Sequence, residues 1–502
     1  MENTVNTFIY SLLPLLAGLV IFLGLFKNNV VLIRRFAKYF SLLFFVLSVY
    51  IFFFKNSNFE LDHVFLSTFY PISPFSGGYI TGFDTPGSLF AALISLIVLI
   101  CFICAKSSIT KKQKIFYPFV LFLESSALVL ISAGDFYVFC AAALFEVLCV
   151  YILANIFMPQ KTARQGTKEY LILNSFFIFL LTGAFSLIFA LLRHNGIDAN
   201  IPNFIHNCRD ISSSILFIVF IPLLGLSMIK LPFFPLHRPL LGIIENSNAS
   251  FACVFLTEFI LGFYIFIKFN LYALAPVFQV FAPIIAIFAI FNVIYFSILA
   301  FGQIDLKKSL GYFAFSQSST AICAACSLSI QGIEGAIFQC FSQSLILLGL
   351  FLCFCFASKI FKTTKLPFMG ALATHCPKLA ALCFILTLAA LAMPFTSGFC
   401  ARFLCLCGGF STEIYSQNII WICTILILIG LIPGMFYLIK VYQNIFFGTD
   451  ECEKCKPHDL LRHNTVALLI IVGCVCALGI APCILSDAVS KYADMVISMF
   501  LF

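Results

Sequence analysis

The stretch IPLLGLSMIKLPFFPLHRPL, residues 221–240, decides how the rest of the chain is read. It opens as an apolar helix, sets Lys230 deep inside it, and then breaks the helix with Pro232, Pro235 and Pro239. A lysine at mid-membrane costs about 2.5–3.5 kcal/mol on insertion scales, so it normally faces a polar interior and a partner. Each proline removes a backbone donor and clashes with the preceding turn, which frees carbonyls that water or side chains must satisfy. A buried cation beside a broken helix is a way of building an ion site within a membrane. The plainer reading is a kink whose lysine snorkels to the nearer interface.

Composition sets the class. Of 502 residues, 62% are hydrophobic and only 10% charged, with a mean hydropathy of +1.09. A soluble globular domain carries about a quarter charged residues, so this is an integral, polytopic membrane protein. The opening MENTVNTFIY has no basic stretch or small-residue cleavage site, so the first helix is expected to stay. Most of the 22 cysteines sit inside apolar runs, where cysteine behaves as a small hydrophobe rather than as part of a disulfide framework.

Apolar windows of about 20 residues fall at 8–26, 36–54, 86–105, 115–133, 137–158, 170–192, 212–231, 249–268, 276–300, 309–329, 333–357, 378–397, 417–439 and 464–484. The window beginning at 378 is interrupted by MPFTSGF, and the tail 485–502 is short enough to lie at the interface. Basic residues test this count. With the N-terminus outside, most of the 29 Lys and Arg fall in inward loops, as the positive-inside rule requires. Lys55, Arg193, Arg209, Lys268 and Lys491 fall outward, while Lys230 and Arg402 lie within membrane segments. Both termini are therefore expected outside, and the net charge of +8 needs no nucleic-acid partner.

A duplication is visible. Asp135 opens DFYVFCAAALFE, which ends on Glu146, and Asp305 opens DLKKSLGYFAFS, which ends on Ser316. Each half then leads to a proline-interrupted helix, at 230–239 and at 394–398. Broken segments in corresponding positions point to transporter-like repeats, and five helices per repeat makes them inverted. The fold expected is an all-α polytopic membrane protein of about fourteen transmembrane helices. Residues 1–114 hold helices 1–3, 115–270 the first five-helix repeat, 271–440 the second, and 441–502 an inward loop and the last helix.

Glu146 stands mid-helix with no basic residue within a turn, and a lone membrane carboxylate is a functional-site hypothesis by default. It and Lys230 form the obvious couple, able to exchange one proton if they meet; a structural ion pair is the alternative. Glu124 in FVLFLESSALVL and Glu258 in CVFLTEFILGFY could extend a proton path or be satisfied interior carboxyls. Asp135 and Asp305 sit where a carboxylate caps a helix start. The loop 447–463 carries Cys452, Cys455, His458 and His463, a weak zinc candidate in a chain rich in thiols. No phosphate loop, dinucleotide fingerprint or nucleophile elbow is present, so no cofactor is expected.

The order DFYVFCAAALFE, SMIKLPFFPLHRPL, AFGQIDLKKSLGYFAFS, MPFTSGFCARFL resembles the antiporter-like subunits. These are the proton-translocating membrane subunits of NADH:quinone oxidoreductase and the large subunits of Mrp-type sodium/proton antiporters. The resemblance covers roughly residues 80–450. It implies that Glu146 matches the glutamate of the fifth helix and Lys230 the lysine of the broken seventh, and it brings His237, Lys307 and Lys308 into the candidate ion path. The sequence also departs from the family. Pro239 stands where a tryptophan is usual, Ile260 where a lysine or histidine is, and Arg402 where a glutamate or lysine is. Gln339 and Gln343 replace a histidine-rich pattern, and arginine cannot readily relay a proton.

The resemblance implies a proton-translocating subunit of a respiratory NADH:quinone oxidoreductase-type complex. Its alternatives are an Mrp-type subunit exchanging sodium for protons and a non-conducting structural paralogue of either. The implied partners are other membrane subunits, protons or sodium, and the lipid bilayer, in a bacterial inner (cytoplasmic) membrane.

Overall fold

The computed structural model describes residues 7–24, 29–57, 67–69, 79–109, 112–158, 160–194, 200–208, 211–411, 417–448 and 459–501. Three helices lead: α1 (Thr7–Phe22), α2 (Val30–Ser57) and α3 (Thr85–Ser108). A first run follows with α4 (Gln113–Ser132), α5 (Phe136–Phe157), α6 (Lys161–His194), the short α7 (Ile201–Asn207), the broken pair α8 (Ser213–Lys230) and α9 (Arg238–Asn246), and α10 (Ala252–Ile265). The second run is α11 (Ala275–Gly302), α12 (Leu306–Cys326), α13 (Ile330–Phe361), the short α14 (Leu372–His375), the broken pair α15 (Pro377–Ala390) and α16 (Ser397–Phe410), and α17 (Gln417–Phe446). The chain ends with α18 (Arg462–Ile480) and α19 (Cys483–Leu501).

Each of the apolar windows overlaps a helix, and the one at 378–397 runs from α15 across the break to the start of α16. Among the described residues, 11 helices are long and apolar enough to cross a membrane, and Thr7–Phe22, Pro377–Ala390 and Ser397–Phe410 are shorter apolar helices. Helix α12 is long enough as well, but its Lys307, Lys308 and run of Ser, Thr and Gln lower its hydropathy. Two short strands, Ser67–Phe69 and Tyr79–Thr81, pair antiparallel outside this helical plan. The tail is a helix, α19, packed on α13, α3 and α11.

Position in the bundle follows from which faces the sequence leaves polar. The apolar windows of α3 and α10 are wholly buried, whereas about a third of those of α6 and α17 is. On the outer helices large side chains such as Phe179 and Ile429 stay exposed, as lipid-facing residues do when helix association gains nothing from hiding them. Helix starts are fixed by capping. Asp84 accepts from Gly87 N at 2.8 Å, Asp135 from Tyr137 N at 2.8 Å and Asp305 from Lys307 N at 3.1 Å. Each oxygen satisfies a donor that the first helical turn leaves without a partner.

Candidate functional site

The site forms where α8 stops. Lys230 is its last residue, and the prolines that follow keep the chain from continuing the helix. Three backbone donors at the break are met. Leu231 N reaches Ser227 O at 2.7 Å and Phe233 N reaches Met228 O at 3.1 Å. Phe234 N donates to the Asn292 side chain of α11 at 2.9 Å, so the second half helps hold the break in the first. Helix α10 approaches this point through Gly262. A Cβ there would lie 2.7 Å from Lys230 Cβ and 2.9 Å from Leu231 N, closer than side-chain atoms normally come.

That approach brings two carboxylates to one ammonium. Lys230 Nζ lies 2.6 Å from Glu146 Oε2 of α5 and 2.5 Å from Glu258 Oε2 of α10, all three side chains being fully buried. The Tyr170 hydroxyl of α6 donates to Glu258 Oε2 and stands 3.4 Å from Lys230 Nζ. Four helices therefore converge on one cation. The couple read from sequence is in contact, and Glu258, read as an extension of the path, is a direct partner.

Charge balance gives the group its chemistry. One ammonium with two carboxylates carries a net negative charge, and an uncompensated buried charge costs several kcal/mol. The neutral arrangement has one carboxyl protonated, which is favoured because burial penalises net charge. Glu258 Oε2 already accepts from Lys230 and Tyr170, the environment of an ionised carboxylate. Oε1 of both carboxyls is unpartnered among the described residues, but Glu146 accepts from Lys230 alone, which makes it the better seat for the proton.

The other sequence candidates lie apart from this group. Glu124 is fully buried with neither oxygen hydrogen-bonded among the described residues. His237 packs its ring against Phe296 at 5.0 Å and leaves Nδ1 unpartnered among the described residues. Lys307 Nζ donates to Ser247 O at the end of α9, 2.6 Å away, where a cation complements the helix dipole. Lys308 is half-buried and gives its backbone N–H to the Asp305 cap at 3.2 Å.

In the second half, Gln343 Nε2 donates to Ala314 O at 2.9 Å, and Gln339 Nε2 to Gln317 Oε1 at 3.5 Å. Arg402 Nη2 donates to Gln317 Oε1 at 2.8 Å and to Ala390 O at 2.5 Å. A cavity of about 20 Å³ among Gln317, Gln339, Gln343 and Arg402 has room for one water. Cys452, Cys455 and His458 lie outside the described residues; His463 is the second residue of α18.

Sequence reasoning missed Tyr170, Gln317 and Gly262. Tyr170 and Asn174 are spaced four apart in an apolar run, which puts them on one helix face and was the signal available. Gln317 sits in the conspicuously polar FSQSST. Nothing local marks Gly262, because its need arises only once α8 lies against it.

The chain is 28% identical over 488 residues to NAD(P)H-quinone oxidoreductase chain 4, chloroplastic, of Mesostigma viride, covering 95% of this chain and 93% of that one. It is 27% identical over 471 residues to NAD(P)H-quinone oxidoreductase chain 4 2 of Microcystis aeruginosa, covering 93% and 83%. Its fold matches a chain of respiratory complex I from Thermus thermophilus with a TM-score of 0.83 at 21% identity, covering 98% and 99%. A chain of the Mrp complex from Dietzia sp. matches with a TM-score of 0.82 at 14% identity, covering 99% and 100%. The family described as NADH:quinone oxidoreductase/Mrp antiporter, TM, matches residues 133–430; that is more than half of the chain, and the chain belongs to this family.

Proposed function

We propose that the chain is a proton-translocating membrane subunit of an NADH:quinone oxidoreductase-type complex, with Glu146, Lys230 and Glu258 as its proton-handling group. The observation that carries this reading is the buried cation held by two carboxylates at a helix break. Such a group is costly to bury and of little use as plain glue, since apolar packing of similar volume would serve stability as well or better. With one proton to share, the group can take it up and release it as the distance between ammonium and carboxylate changes. Redox chemistry belongs to partner subunits, and the quinone-oxidoreductase names of the relatives favour this complex over an Mrp-type antiporter.

The same reading places both termini outside, from the basic inward loops, and sets the chain in a bacterial inner membrane. It divides the chain at about residues 114, 270 and 440, with the two repeats between the first and last of these. The polar but less titratable second half then serves as an ordered-water path or as scaffold. The test is NADH-driven acidification in vesicles carrying the complete complex. Glu146→Gln and Lys230→Ala should each abolish it while the complex still assembles. Full acidification in both variants overturns the proposal, and NADH-independent sodium/proton exchange would assign the chain to the Mrp type instead.

A further inference from the structure

A second space, open on one side, lies away from the Lys230 group, between α11, α12, α16 and α17. It measures about 230 Å³ and is walled mainly by apolar residues and thiols, among them Ile290, Leu431, Cys323, Cys326 and Cys423. Arg402 closes one side. The residue is about nine-tenths buried, and its Nη1 has no hydrogen-bond partner among the described residues. Among the described residues no carboxylate pairs with it; its partners are a glutamine oxygen and a backbone carbonyl, both on Nη2. The hydroxyls of Thr320 and Ser327, also in the wall, are turned back onto carbonyls of their own helix. Ile287, another wall residue, is 65% exposed, so the space communicates with the membrane-facing flank.

An arginine is always charged, and a buried charge without a counter-ion is strongly unfavourable. We propose that this cavity binds a single-chain carboxylate amphiphile, its carboxylate on Arg402 and its alkyl chain among the thiols. Shape and charge agree on that occupant. An apolar cavity of about 150 Å³ takes a benzene, so this one takes one alkyl segment of roughly ten carbons and not two chains abreast. One free guanidinium nitrogen suits a monoanion, whereas a phosphate headgroup calls for more donors than the wall offers.

The test uses the complete complex in nanodiscs of zwitterionic phospholipid with a diazirine-bearing laurate, its photo-adducts mapped by peptide mass spectrometry. Adducts should concentrate on the α12 and α17 wall peptides, saturate, and be displaced by excess laurate but not by dodecanol. Arg402→Gln should weaken labelling about tenfold or more, as loss of a charge-assisted hydrogen bond does, and Arg402→Lys should retain most of it. Cys423→Phe, which fills the space with Arg402 intact, should block labelling even if Arg402→Gln does not assemble. Labelling that dodecanol displaces equally well, or that neither Arg402→Gln nor Cys423→Phe weakens, overturns the proposal. Better displacement by dodecyl phosphate than by laurate overturns the carboxylate assignment.

Discussion

The two helix breaks are built alike and charged differently. After Lys230 the chain turns with Phe233 N on Met228 O at 3.1 Å, and after Ala390 with Met393 N on Leu388 O at 3.0 Å, the same wide loop of backbone in each half. A glycine allows close approach at both. Gly262 lies against Lys230, and a Cβ on Gly398 would meet Ala389 O at 2.1 Å. Tyr170 and Asn174 stand as far into α6, counted from Lys161, as Gln339 and Gln343 stand into α13, counted from Ile330. The last helical residue differs. It is a lysine held by two carboxylates in the first half, and an alanine whose carbonyl accepts from Arg402 in the second. The break itself is thus a backbone property that persists without charge, and the titratable chemistry rests on a few side chains placed upon it.

The sharpest way to break this comparison is to make the first half resemble the second. Lys230→Met removes the cation and leaves two carboxylates facing each other. Stripping one partner from a buried ion pair costs about 3–5 kcal/mol, so the variant should lose thermal stability while still assembling, and move no protons. Neutralising all three groups, with Glu146→Gln, Lys230→Met and Glu258→Gln together, should restore thermal stability toward the parent while acidification stays absent. Recovery of stability without flux would separate the fold of the break from its chemistry. Failure to recover would mean that the charges hold the break together.

Next comes Glu258→Gln, which tests whether the group is a triad or a pair with a bystander. The substitution leaves Glu146 as the only anion for Lys230, so the proton it holds loses its place. Stability should fall by about 1.5–3 kcal/mol, the range for a hydrogen bond to a charged group. The infrared carbonyl band of one protonated carboxyl should disappear and acidification should drop. Lost stability with an unchanged band and full acidification would make Glu258 a packing partner only.

That uneven pair of halves was partly legible in the sequence. Lys230, Glu146 and the prolines announced themselves because a charge or a missing donor within an apolar run has few bland explanations. The helical windows were equally plain, since membrane thickness sets their length. Glu258 was visible as a residue but not as a partner of Lys230. The helix pairing that joins them depends on Gly262, and a glycine in an apolar helix signals nothing until its neighbour is known. Tyr170 stayed hidden for a related reason, because a tyrosine on a mostly apolar helix reads equally well as packing. Lys307, read as part of the candidate ion path, gives its ammonium to Ser247 O and so ties α12 to the end of α9.

A smaller effect separates the two glycines. Gly262→Ala forces α10 away from Lys230, and overpacking of this kind costs about 1–3 kcal/mol. Because the atom it displaces belongs to Lys230, the ammonium should move from its carboxylates and acidification should fall together with stability. Gly398→Ala crowds a carbonyl at the other break and should cost at least as much stability. Its effect on acidification per assembled complex should be slight, since no ammonium–carboxylate pair stands there. Equal losses of flux in both would mean that the two breaks conduct alike.

The smallest change expected is from Gln343→Leu, and it bears most directly on whether the second half carries protons. Gln343 gives one hydrogen bond to Ala314 O, worth about 0.5–1.5 kcal/mol net, and its side chain helps line the water-sized space beside Arg402. Leucine is close in volume, so packing should survive. If protons cross the second half along side chains and water, removing this polar wall interrupts the file. Acidification should then fall far more than a loss of that size would suggest. If only the first half conducts, the variant should lose a little thermal stability and pump at the parental rate. The charge distribution favours the second outcome. A buried, permanently cationic Arg402 raises the energy of any proton brought close to it, and among the described residues no carboxylate pairs with it to offset that repulsion. Parental pumping in Gln343→Leu beside complete loss in Glu146→Gln would place the conducting path in the first half alone.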